Sequence, residues 1–98
     1  MRRVVVTGMG IVSSIGNNCA EVESALRETR SGIVASEEYR ELGFRSQVRG
    51  SIEIDLEAEI DRKLRRFMGA SAAYNYIAMR EAITASGLGE SEISNPRT

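Results

Sequence analysis

Val4-Val5-Val6-Thr7-Gly8-Met9-Gly10 is the stretch from which a fold can be read. Four β-branched residues follow one another without alternation of polar and apolar positions, and the run stops at a glycine. That pattern predicts a strand covered on both faces, as in a parallel sheet, rather than one with a wet side. Gly8-Met9-Gly10 and Ser13-Ser14-Ile15-Gly16-Asn17 then punctuate a loop.

Beyond that loop the signals turn helical. Asn18 with Glu21 three residues later is an N-terminal capping pattern; Val22, Ala25 and Leu26 give one apolar face, and Gly32 is expected to end the helix. Ser36 opens a second, shorter helix that runs through Leu42 and stops at Gly43. Val48, Ile52 and Ile54 sit at even spacing, which predicts a half-exposed strand interrupted at Gly50. An acidic stretch from Glu53 to Glu59 leads into Asp61-Arg62-Lys63-Leu64-Arg65-Arg66. Phe67 to Ser86, rich in alanine and closed by Gly87, is the strongest helix and expects burial on most of its circumference. Gly89 to Thr98 reads as a polar tail with the single proline, Pro96.

These elements make an α/β set that does not close on itself. A doubly covered strand needs neighbours, because each unpaired buried backbone group costs about 1–3 kcal/mol. No second strand of that type is present, so the partners of this sheet are expected beyond Thr98. The chain, 98 residues long, is enough for one domain at most.

Composition removes several function classes. Thirteen basic against fourteen acidic residues give a net charge of -1, so there is no whole-chain nucleic-acid or membrane footprint. No signal-peptide core or membrane span follows the first residues, and the one cysteine, Cys19, suits a reducing compartment; the expected location is the cytoplasm. Histidine is absent, which removes the commonest general base and the commonest metal ligand. Without it Cys19, although near a helix start, has no base to make it a nucleophile. Gly8 and Gly10 half-match a dinucleotide fingerprint, but Ser13 stands where the third glycine belongs. Those glycines are better read as letting the chain pass tightly beneath a neighbouring element. Neither a cofactor nor a metal is expected.

The one candidate site is the basic cluster. Its plain reading is a solvated face offset by Glu57 and Glu59. No aromatic residues interleave with the charges, which speaks against nucleic acid. On a helical turn Arg62, Lys63 and Arg66 span an arc of about 100°, with Leu64 and Phe67 expected to point away and anchor the turn.

The segment from Met1 to Asn18 closely resembles the opening of the β-ketoacyl-acyl-carrier-protein synthases, of the synthase I type. The likeness continues through Leu26-Arg27-Glu28, Arg30-Ser31-Gly32-Ile33, Asp61-Arg62-Lys63, Arg66-Phe67-Met68, Ala82-Ile83 and Ser86-Gly87-Leu88. Cys19, Arg65 and Gly69 depart from it. The resemblance implies a layered thiolase-like fold, a homodimer, and a decarboxylative Claisen condensation in fatty-acid biosynthesis. In that chemistry a cysteine thiolate takes the acyl chain, malonyl carrier protein loses carbon dioxide, and two histidines assist; all three residues are expected beyond position 98. Residues 1–98 would then be the N-terminal fragment of the first thiolase-like half, supplying scaffold. The resemblance also implies that Arg62, Lys63 and Arg66, with Arg45 as a further rim candidate, dock the acidic acyl carrier protein. The alternative is a stand-alone small domain that binds an acidic protein through the same basic face.

Overall fold

A computed structural model describes residues 1–98 and divides them into two compact units, Ser13–Ile54 and a second formed by Met1–Val12 with Asp55–Thr98. Both helices and strands are present, as an α/β reading requires.

Within Ser13–Ile54 the order is α1 (Cys19–Arg27), β1 (Ile33–Ala35), α2 (Glu37–Glu41) and β2 (Val48–Gly50). The Asn18 side chain caps α1 by accepting from the Glu21 N–H at 2.9 Å, and Glu21 reaches back to the Asn17 N–H at 2.7 Å. The cap on the Glu21 N–H is the one the sequence pattern predicts, while the return bond from Glu21 falls on Asn17, one residue before the cap. The end of α1 differs from expectation. The chain turns at Thr29, with φ of 56°, and the Arg30 and Thr29 N–H groups close on the Ala25 and Leu26 carbonyls. Gly32 is instead a point of close approach: a Cβ there would lie 2.0 Å from the Ser14 carbonyl oxygen. The helix α2 behaves as predicted, with buried Ser36 accepting from the Tyr39 N–H and Gly43 left-handed at φ 71°. The Phe44 N–H closes on the Tyr39 carbonyl, and the two rings pack 5.3 Å apart.

The strands β1 and β2 form an antiparallel ribbon in the register Ile33 to Gly50, Val34 to Arg49 and Ala35 to Val48. Strand β1 has no counterpart in the sequence reading. The strand expected over Val48–Ile54 ends at Gly50, and Ile52 and Ile54 lie outside the ladder.

The second unit carries α3 (Leu56–Glu59), α4 (Arg62–Arg65), α5 (Ala70–Ser86) and α6 (Glu90–Ile93). The long helix starts at Ala70, three residues later than predicted, because Phe67 and Met68 still belong to the turn that closes α4; their N–H groups bond to Leu64 and Arg65 carbonyls. It ends at left-handed Gly87 as expected. The tail read as polar coil holds the short α6, where Glu92 accepts from the Gly89 N–H.

Val4–Thr7 joins no ladder, and Val4, Val5 and Val6 are 93%, 70% and 83% exposed, so the predicted strand is not formed. A strand exists only through its hydrogen-bonded neighbours, and none of the 98 residues provides them. The following residues are held firmly. A Cβ on Gly8 would lie 2.2 Å from the Ala82 carbonyl oxygen, and one on Gly10 1.8 Å from that of Ala78. The two glycines therefore lay the chain directly on the backbone of α5, as the tight-passage reading anticipated. The Glu81 carboxylate accepts from the Ile11 N–H at 2.9 Å and fixes the same segment. Only Ala25, Ile60, Ala73 and Ile77 are buried apolar residues, while Met9, Leu26, Leu42, Phe67 and Met79 each remain more than 60% exposed. Burial of α5 is thus limited to Ala73 and Ile77.

Candidate functional site

The basic cluster occupies a single tight turn. Asp61 caps it by accepting from the Lys63 N–H at 2.8 Å, and the Leu64 and Arg65 N–H groups return to the Asp61 carbonyl. At the other end Arg65 donates from Nη1 to the Met68 carbonyl at 2.6 Å, bracing the exit from α4; its Nε is buried without a partner. The Arg66 guanidinium lies 4.6 Å from the centre of the Phe67 ring, a cation–π contact that holds both side chains on one side.

That contact corrects the expected anchoring. Phe67 is 77% exposed and Leu64 47%, so neither side chain roots the turn in a core. The i, i+2 and i, i+5 steps from Arg62 to Leu64 and Phe67 do not set an opposite face once the helix ends at Arg65. The turn is held by its cap and by Arg65.

An open hollow of about 510 Å³ lies beside it, lined by Arg62, Arg65, Arg66 and Glu57. Lys63 is exposed next to the hollow in sequence but does not line it. Sequence reasoning counts Arg65 in the basic cluster but leaves it off the docking face; the signal that adds it is the i, i+3, i+4 spacing of positions 62, 65 and 66, which places three side chains along one strip. Arg45 is exposed and belongs to the Ser13–Ile54 unit, outside this turn.

The charge balance of the turn also differs from a simple solvated face. Glu59 is engaged by Arg80, which donates to its carboxylate at 2.7 Å and its carbonyl at 2.8 Å. Glu57 lines the hollow but forms no ion pair with its arginines. The five ion pairs of the chain join Arg27 to Glu23, Arg30 to Glu28, Arg40 to Glu37, Arg49 to Glu38 and Arg80 to Glu59. Arg62, Lys63, Arg65 and Arg66 are in none of them. Four cations in five consecutive positions thus carry no counter-charge in an ion pair within the chain.

Other candidates carry less chemistry. Cys19 is half-buried in the first turn of α1. No group of three His, Cys, Asp or Glu side chains is placed to hold a metal ion. No helix is long and apolar enough to cross a membrane.

The family model described as "Beta-ketoacyl synthase, N-terminal domain" matches residues 1–98. The 3-oxoacyl-[acyl-carrier-protein] synthase 1 of Haemophilus influenzae is 52% identical over 98 residues, covering 100% of this chain and 24% of the relative. The protein of the same name from Escherichia coli K12 is 49% identical, again over 24% of its length. The 3-oxoacyl-[acyl-carrier-protein] synthase 2 of Vibrio harveyi is 36% identical over 88 residues. The chain therefore spans about a quarter of the length of the curated relatives it matches.

Proposed function

The chain belongs to the β-ketoacyl synthase family, whose N-terminal-domain model matches residues 1–98, and from that premise we propose that it is the amino-terminal part of a 3-oxoacyl-[acyl-carrier-protein] synthase subunit. Such a subunit extends an acyl chain held on carrier protein by condensing it with malonyl carrier protein, with loss of carbon dioxide. The observation that carries the reading is the 52% identity sustained over all 98 residues.

In this reading the chain contributes scaffold and partner recognition. Without histidine, its own residues offer no general base of the ordinary kind, and Cys19 is not assigned to acyl transfer. The exposed Val4–Val6 run, the uncovered face of α5 and the burial of only four apolar side chains across the two units fit a piece completed by the rest of a layered thiolase-like subunit working as a cytoplasmic homodimer. The same small core weighs against a stand-alone domain. Arg62, Lys63 and Arg66 are assigned to docking acyl carrier protein, supported by their lack of ion pairs within the chain. Arg45, likewise exposed and in no ion pair, is retained as a secondary rim contact.

The test compares the full-length subunit with residues 1–98 alone, each supplied with acyl- and malonyl-carrier protein. The full subunit is expected to release carbon dioxide and form the ketoacyl product, and the 98-residue chain to form none. A full-length subunit without condensing activity would overturn the proposal. So would turnover by the short chain that persists in Cys19→Ser.

A further inference from the structure

We infer that the hollow beside α4 is a binding site for a phosphate dianion, with Arg65 among its ligands. Three guanidinium groups, from Arg62, Arg65 and Arg66, line one space together with a single carboxylate, Glu57. None of the three is ion-paired, and Arg65 uses one N–H on Met68 while its Nε has no partner. Three like charges beside a single carboxylate repel one another on balance, and an anion seated among them removes that repulsion.

The charge and shape of the hollow select among anions. Three positive charges against one negative leave two, which matches a phosphomonoester, with a charge of about −1.5 to −2 at neutral pH, better than a carboxylate or a phosphodiester. Guanidinium forks pair with phosphate oxygens in a bidentate manner that an ammonium cannot reproduce. Lys63, outside the lining, is therefore expected to matter little to this ligand. The inference shares Arg62 and Arg66 with the carrier-docking reading and depends on it for one consequence only: a small phosphate ester would compete with carrier protein for the same side chains.

The experiment titrates the full-length subunit with inorganic phosphate and methyl phosphate, and separately with dimethyl phosphate and acetate, at constant ionic strength. Binding is followed by calorimetry and phosphorus NMR. Saturable binding of the two dianions is expected, at least about tenfold tighter than that of the two monoanions. Arg62→Met and Arg65→Met should each weaken it about tenfold, Glu57→Gln should tighten it, and Lys63→Met should change it by less than about threefold. Arg62 makes no side-chain hydrogen bond within the chain, so its variant tests the site even if Arg65→Met disturbs the turn. No saturable binding, or an equal loss from Lys63→Met and Arg62→Met, overturns the inference. The carrier assay separates the two readings. Phosphate that binds with this variant pattern but leaves the KM for carrier protein unchanged supports the hollow and rejects docking on it. A raised carrier KM in Lys63→Glu/Arg66→Glu, with no saturable phosphate binding to the unaltered subunit, supports docking and rejects the hollow.

Discussion

Two short stretches of the same unit, Gly8–Val12 and Arg62–Arg66, are held by opposite means. Gly8 and Gly10 leave no room for a methyl group against the carbonyls of α5, and Glu81 ties down the Ile11 N–H. The basic turn has an end cap and one arginine brace, and most of its side chains stand in solvent. The first stretch is determined by what it touches inside the chain; the second carries four cations that form no ion pair there. A substitution in the first should be read out as lost fold, and one in the second as lost recognition with the fold intact.

The largest effect is expected at Gly10. In Gly10→Val the new Cβ would meet the Ala78 carbonyl oxygen at 1.8 Å, a backbone atom that cannot swing aside. The Gly8–Val12 segment must lift from α5, at about 3 kcal/mol or more, and soluble yield of the full-length subunit should collapse. Wild-type yield and thermal midpoint in this variant would show that the close approach does not hold the segment. Glu81→Ala comes next. It removes the acceptor of the Ile11 N–H and should lower stability by about 1–3 kcal/mol, visible as faster proteolysis between Gly8 and Val12. Unchanged cleavage there would mean the glycines alone fix the segment.

The smallest effect has the opposite sign. α1 and α2 end in the same hydrogen-bond pattern, yet the left-handed position is Gly43 in one and Thr29, a β-branched residue, in the other. Thr29→Gly should therefore stabilise the subunit by about 1 kcal/mol, raising its thermal midpoint, whereas Gly43→Thr should lower it. A fall in the midpoint of Thr29→Gly would show that the threonine side chain does something the backbone argument omits.

How far the sequence could be read follows the same division between local and distant causes. The Asn18 and Ser36 caps, Gly43 and Gly87 lie within four residues of the groups they satisfy, so their patterns were legible. The Val4–Thr7 strand was not realised because its ladder depends on segments other than itself. The three-residue strand β1 is too short to show a period, and its pairing with β2 spans a helix. Gly32 looked like a helix stop because the Ser14 carbonyl that crowds it cannot be seen in the spacing. At the candidate site the residue types were legible in Asp61–Arg66. The bracing by Arg65, the exposure of Phe67 and the engagement of Glu59 by Arg80 required the folded turn.

The central claim, that the basic turn recognises carrier protein rather than supporting the fold, is tested most directly by Lys63→Glu/Arg66→Glu in the full-length subunit. The KM for carrier-protein substrate is measured beside that for a small thioester lacking the protein, together with the thermal midpoint. Attraction becomes repulsion at two exposed points, so the carrier KM should rise more than about tenfold, while the small-thioester KM and the midpoint stay within error. Equal losses on both substrates, or a carrier KM that does not move, would contradict the account.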